Sequence, residues 1–180
     1  MPALATWAPE DGVLGAVAPL ALASTQQTAL VIDLDPSGPA YPSERSLRDL
    51  VATGPRSVEL RPARRGLAVL RNGGVGFADA QQIVELLIET WPAVVLRLGG
   101  PPSDAPAPFV PVRLLVPGRL FPPQGRGVYQ RLSGRRGAVP DGGVALPPAP
   151  RRAVDSLLGL KQPAPSRWLR AWHQVWSASW

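Results

Sequence analysis

Asp33 and Asp35 stand two residues apart at the end of the apolar run Ala29-Leu30-Val31-Ile32. In an extended strand, residues i and i+2 point to the same side, so this spacing would pair two carboxylates. Such a pair can hold a divalent cation or divide acid and base work between its members. Either use needs a further ligand or a nucleophile, and the flanking sequence offers none. The same residues also fit a plain strand end, with an aspartate capping the turn at Ser37-Gly38. Both readings stand on the residues alone.

Other chemistries find less support. The chain has no cysteine, which excludes disulfides, thiolate nucleophiles and thiolate metal sites. His173 is its sole histidine and has no carboxylate within one turn, so it reads as an ordinary helix residue and no metal centre is expected. No Gly-x-Ser-x-Gly elbow supports a hydrolase. A phosphate-cradling loop needs consecutive glycine-rich backbone donors and a lysine that reaches the phosphates. Residues 11–20 carry two glycines and no lysine, and Lys161 is the only lysine in the chain.

Arginine supplies most of the net charge of +6. Arg61, Arg64 and Arg65 form one basic patch, and Arg126, Arg131, Arg135 and Arg136 form another beside Gly125 and Gly127. These patches suit contact with nucleic acid, although Phe121 and Tyr129 are the only nearby aromatics for stacking. Coding bias toward Arg, Ala, Gly and Pro gives the same composition. In the tail, Trp168, Trp172 and Trp176 recur every four residues and form a stripe on one helix face, widened by Leu169 and Val175 and flanked by Arg167 and Arg170. That stripe suits packing on the parent sheet, a protein interface, or a peripheral membrane contact.

The elements that would position these residues read as alternating strands and helices. Residues 12–24 make a small-residue helix interrupted by Pro19, and residues 29–34 a strand covered on both faces. A short helix over 43–52 takes Ser43 as its cap and turns Leu47, Leu50 and Val51 inward. A strand follows at 67–70. The helix at 79–90 places Ile83, Leu86 and Leu87 on one face and Gln81, Gln82, Glu85 and Glu89 on the wetter side. Strands are expected at 93–98, at 112–116 in an edge position, and at 143–146. Residues 99–111 and 117–141 read as Pro, Gly and Arg-rich loops, with 128–132 as the one extended piece. Helices at 149–160 and 166–179 close the chain.

The 180 residues, 45% of them hydrophobic, suffice for one core. The expectation is a single α/β domain over residues 1–160, with 161–180 as a Trp-rich helix packed on it or at an interface. Residues 1–11 lack a basic start for a secretion signal, and the apolar stretch 13–23 is too short to span a bilayer. No transmembrane segment and a cytoplasmic location are therefore expected.

Read in order, Leu30-Val31-Ile32-Asp33-Leu34-Asp35-Pro36, Ser46-Leu47-Arg48-Asp49-Leu50 and Gly66-Leu67-Ala68-Val69-Leu70 resemble the ParA/MinD-like partition ATPases. Ala80 to Thr90, Val94 to Leu98, and Val144-Ala145-Leu146-Pro147 with Arg151-Arg152-Ala153-Val154 extend the likeness, in particular to the CpaE-like or septum-site-determining branch of actinobacteria. The resemblance implies a mainly parallel sheet flanked by helices, with a P-loop-like fold whose phosphate loop is degenerate or missing. It also implies that Asp33 matches the aspartate with which the family orients water or supports its switch region, with Asp35 beside it, and that Arg97 falls at the family's magnesium-associated aspartate. An arginine cannot hold Mg²⁺.

The expectation is thus a non-catalytic pseudo-ATPase acting through a protein partner or as a homo-oligomer, in septum positioning or in pilus or secretion assembly. Its vestigial nucleotide site would be Asp33, Asp35 and Arg97, and its interaction site Trp168, Arg170, Trp172 and Trp176. No cofactor is expected. Residual ATP or ADP binding, an unusual ATPase, and an arginine-driven nucleic-acid binder are the rival readings.

Overall fold

The computed structural model describes residues 2–62, 65–101, 105–116, 126–133 and 138–180. Seven strands form one sheet in the order β3-β2-β4-β1-β5-β6-β7, and every neighbouring pair is parallel. They are β1 (Ala3–Trp7), β2 (Thr28–Leu34), β3 (Gly66–Leu70), β4 (Val94–Leu98), β5 (Phe109–Leu115), β6 (Val128–Arg131) and β7 (Val144–Leu146). Helices lie on both faces: α1 (Gly12–Ser24), α5 (Arg151–Leu158) and α6 (Arg167–His173) on one, and α2 (Leu47–Thr53), α3 (Ser57–Leu60) and α4 (Phe77–Thr90) on the other. The expected parallel sheet flanked by helices is the architecture observed.

Because each central strand is covered twice, both its odd and its even residues are apolar. On β2, Ala29 and Val31 join the α1 side while Leu30 and Ile32 join the α2–α4 side. On β4, Val95 and Val94 divide in the same way. Asp33 and Arg97 continue the α1-side rows by this alternation.

Several expectations are corrected. Residues 3–7, given no element in the sequence, form the central strand β1, held between β4 and β5. β5 is not an edge strand, since β1 and β6 flank it. Its Pro111 is tolerated because the ladder to β6 starts one residue later, at Val112↔Val128. Pro19 does not interrupt α1. It withdraws one helical donor, but Leu14 and every residue from Ala16 to Ser24 are buried, and that enclosure holds the helix together. The helix over 47–53 is capped by Ser46 rather than Ser43: the Ser46 hydroxyl accepts from the Asp49 amide while the Asp49 carboxylate accepts from the Ser46 amide. Val51 faces outward, at 38% exposure. On α4 the buried residues are Ala80, Val84 and Leu87, with Leu86 only half-buried.

The tail is shorter and more irregular than a single helix over 166–179. α6 ends at His173 and a 3₁₀ turn covers Gln174–Ser177. Trp168 and Trp172 are buried in the α1-side core, edge to face with ring centroids 6.0 Å apart. The Trp168 indole donates to Gln130 Oε1 at 2.7 Å, and the Trp176 indole donates to the Leu22 carbonyl at 3.2 Å. Gln162 Nε2 reaches the Ser24 carbonyl at 3.3 Å. Gln162 thus supplies a donor to a carbonyl in the last turn of α1, while Trp176 adds to the Thr25 amide and hydroxyl that already reach the Leu22 carbonyl. Among the described residues, no helix is long and apolar enough to cross a membrane.

Candidate functional site

All seven strands end at one edge of the sheet, and at its centre Asp33 of β2 stands directly across from Arg97 of β4. Arg97 is also in register with Thr6 of β1, whose hydroxyl donates to the Leu96 carbonyl at 3.3 Å. The structure thus brings together the three sequence-selected residues Asp33, Asp35 and Arg97. Arg97 Nη1 donates to Asp33 Oδ2 at 3.3 Å and to the Pro39 carbonyl at 2.7 Å, and Nη2 donates to Asp35 Oδ2 at 3.0 Å. The guanidinium lies 5.1 Å from the centroid of the Tyr41 ring, in cation–π geometry.

The loop after β2 is shaped around this arginine. Asp35 Oδ1 accepts from the Ser37 and Gly38 amides at 3.0 and 2.9 Å, which is the aspartate-capped turn foreseen as the plain alternative. A side chain on Gly38 would collide with Arg97 Nη2 and the Asp35 carboxylate. One on Gly99 would come within 2.7 Å of Asp35 Oδ1, so glycine is required on both sides of the pair. Tyr41 anchors the far end of the loop by donating to the Ala16 carbonyl of α1 at 2.6 Å. Asn72 fixes the neighbouring turn, donating to the Asp33 and Val75 carbonyls and accepting from the Gly74 and Val75 amides.

Burial dominates the electrostatics. Asp33 is 1% exposed, and desolvation pushes its carboxyl up to about 6, against the opposing pull of Arg97. Burial likewise pushes the Tyr41 phenol up, so it remains a neutral donor. Each carboxylate contributes an oxygen to Arg97, and the guanidinium occupies the space between them. Among the described residues, no group of three or more His, Asp or Glu is placed to hold a metal ion. The arrangement acts as a tie that fastens residues 35–41 to the sheet.

A second tie closes the neighbouring crevice. From β1 the chain runs toward β2, whereas from β5 it runs toward β6, so the gap between their carboxyl ends is a switch point of the kind where open parallel sheets hold ligands. Glu10 fills it: Oε1 pairs with Arg113 Nη1 at 2.7 Å and Oε2 accepts from the Leu114 amide at 3.1 Å. Asp11, next in the turn, caps α1 by accepting from the Leu14 amide at 2.6 Å. A cavity of about 820 Å³ lies elsewhere, beside β3, floored by Leu50, Leu87 and Trp91.

Sequence reasoning missed Tyr41, Glu10 and Arg113. A lone aromatic in a polar loop was the available signal for Tyr41, and an arginine inside an apolar run was the signal for Arg113. Of the arginine patches, Arg61, Arg65 and Arg126 are exposed, and Arg126 donates to the Ser179 carbonyl at 3.2 Å. Arg64, Phe121, Gly125, Arg135 and Arg136 lie outside the described residues. Arg170 and His173 are exposed on α6. Fold and site together define a parallel α/β domain whose central carboxyl edge is closed by its own ion pairs. No family model matches the chain, and no curated protein or solved structure matches it at a significant level.

Proposed function

We propose that this chain is a non-hydrolysing domain of the ParA/MinD kind, with a degenerate P-loop-like core, which acts through protein contacts rather than nucleotide turnover. Septum positioning, or the assembly of pili or secretion machinery, is the setting the resemblance implies. One observation carries the reading: the turn from β1 into α1 holds Glu10 and Asp11 where a bound phosphate would need free amides. A helix N-terminus attracts an anion through its unpaired N–H groups. Here Asp11 already takes the Leu14 amide, and Glu10 adds a further carboxylate beside it. Arg97 supports the same reading, because its cationic head is spent on Asp33 and Asp35.

The test is calorimetric titration of the purified chain with ATP and ADP, with and without Mg²⁺, alongside a phosphate-release assay. The expected result is no turnover and no Mg²⁺-dependent binding. Mg²⁺-dependent phosphate release that disappears in a folded Asp33→Asn variant would sink the proposal. Nucleotide binding without turnover would instead favour the rival reading of a residual nucleotide-binding protein.

A further inference from the structure

The α5–α6 segment on one side of the sheet and α4 on the other carry charges of opposite sign. Residues 149–180 hold Arg151, Arg152, Lys161, Arg167 and Arg170 against one carboxylate, Asp155, which amounts to +4 of the chain's +6. All five cations are exposed, and among the described residues Arg152, Lys161, Arg167 and Arg170 have no ion-pair partner. On the opposite side of the sheet, α4 carries Asp79, Glu85 and Glu89 with no lysine or arginine. These three are exposed and form no ion pair among the described residues.

The helices themselves gain nothing from most of this placement. A helix favours acids in its first turn and cations in its last. Arg151 and Arg152 open α5, Arg167 opens α6, and Glu89 lies in the last turn of α4, so each stands at its disfavoured end. Glu85 and Glu89 repeat a like charge one turn apart, as do Arg167 and Arg170, and this also costs helix stability. The Trp stripe does not account for the basic face, because Trp168 and Trp172 point into the core.

We propose that the basic face of α5 and α6 docks on the acidic face of α4 in a second copy of this chain. The inference rests on the reading of a domain that acts through protein contacts and names the partner as the chain itself. Because the two surfaces lie on opposite sides of one sheet, the contact is heterologous and repeats head to tail, giving open-ended oligomers rather than a closed two-fold dimer. α2 and α3 pack beside α4, and α2 carries the exposed Arg48 while Arg56 stands ahead of α3, so α5 and α6 must align along α4 itself.

Sedimentation velocity of the full chain tests this at about 20 mM and about 300 mM salt, which spans the range over which exposed charges become screened. The expected result is concentration-dependent growth beyond the dimer at low salt, reverting to monomer at high salt. E85R/E89R and R167E/R170E should each be monomeric at low salt with unchanged circular dichroism, and their equimolar mixture should associate again. E85Q/E89Q should weaken association at least severalfold without introducing repulsion. A monomer at every concentration and low salt overturns the proposal. So does association that ignores both charge reversals, or a mixture that stays monomeric. Loss of duplex DNA or anionic-vesicle binding in R167E/R170E, without self-association in the parent chain, would assign the basic face to another polyanion and also overturn it. None of these outcomes bears on nucleotide turnover, so the non-hydrolysing reading stands or falls separately.

Discussion

Asp33 and Arg97 face each other across two central parallel strands, and Arg97 answers Asp33, Asp35 and the Pro39 carbonyl with one guanidinium. Removing one partner of a buried pair strands the other charge. Arg97→Met is therefore expected to cost about 3–5 kcal/mol in urea unfolding. Adding Asp33→Asn should recover part of that loss, because the stranded carboxylate is gone. A double variant no more stable than Arg97→Met would show that the pair is not coupled.

The pH dependence has a defined sign. Burial moves Asp33 from 3.8 to about 6, so the native state holds this proton more tightly than the unfolded chain. The stabilisation is complete below pH 3.8 and is lost as the pH rises through about 6. Asp33→Asn lacks this titration. Relative to that variant, the parent chain should lose on the order of 3 kcal/mol between acid and neutral pH. Parallel stability profiles for the two proteins would contradict the shift.

The two buried tail tryptophans should respond differently to loss of the indole nitrogen. Trp168 donates to Gln130, whereas Trp172 Nε1 is buried with no hydrogen-bond partner. Trp168→Phe leaves the Gln130 oxygen without its donor, while Trp172→Phe removes an unsatisfied group. Trp168→Phe should therefore cost about 1–3 kcal/mol more than Trp172→Phe in chemical denaturation. Equal losses would mean that packing alone sets both.

On α4 the inward face predicts a clear contrast between neighbours. Leu87 is 1% exposed and Leu86 is half-buried. Leu87→Ala should cost about 2–5 kcal/mol, and Leu86→Ala roughly 1 kcal/mol. Thermal melts of the two variants separate these values, and a reversed order would place the helix in a different rotation.

What the sequence disclosed follows from which forces are local. β2, β3 and β4 were legible because doubly covered strands are continuous apolar runs. β1 was not: Ala3-Leu4-Ala5-Thr6-Trp7 has no strong β-former run, and its strand state comes from β4 and β5 on either side. Ser46 and Asp49 did carry a capping-box spacing, which the serine at position 43 obscured. At the candidate site the residue types were visible, but their union was not. It depends on a register between positions 33 and 97, 64 residues apart, and on Tyr41 folding back to α1.

The enclosure of α1 has a consequence for synthesis. This helix is complete within the first 24 residues, yet α5, α6 and the side chains of Gln162 and Trp176 that cover it come from the far end of the chain. At roughly 5–20 residues per second, a ribosome needs on the order of 10–30 s to deliver the covering segment after α1 has emerged. Throughout that interval the nascent chain lacks the segments that cover this apolar helix, so α1 reaches its native enclosure only after residues 151–176 have been made.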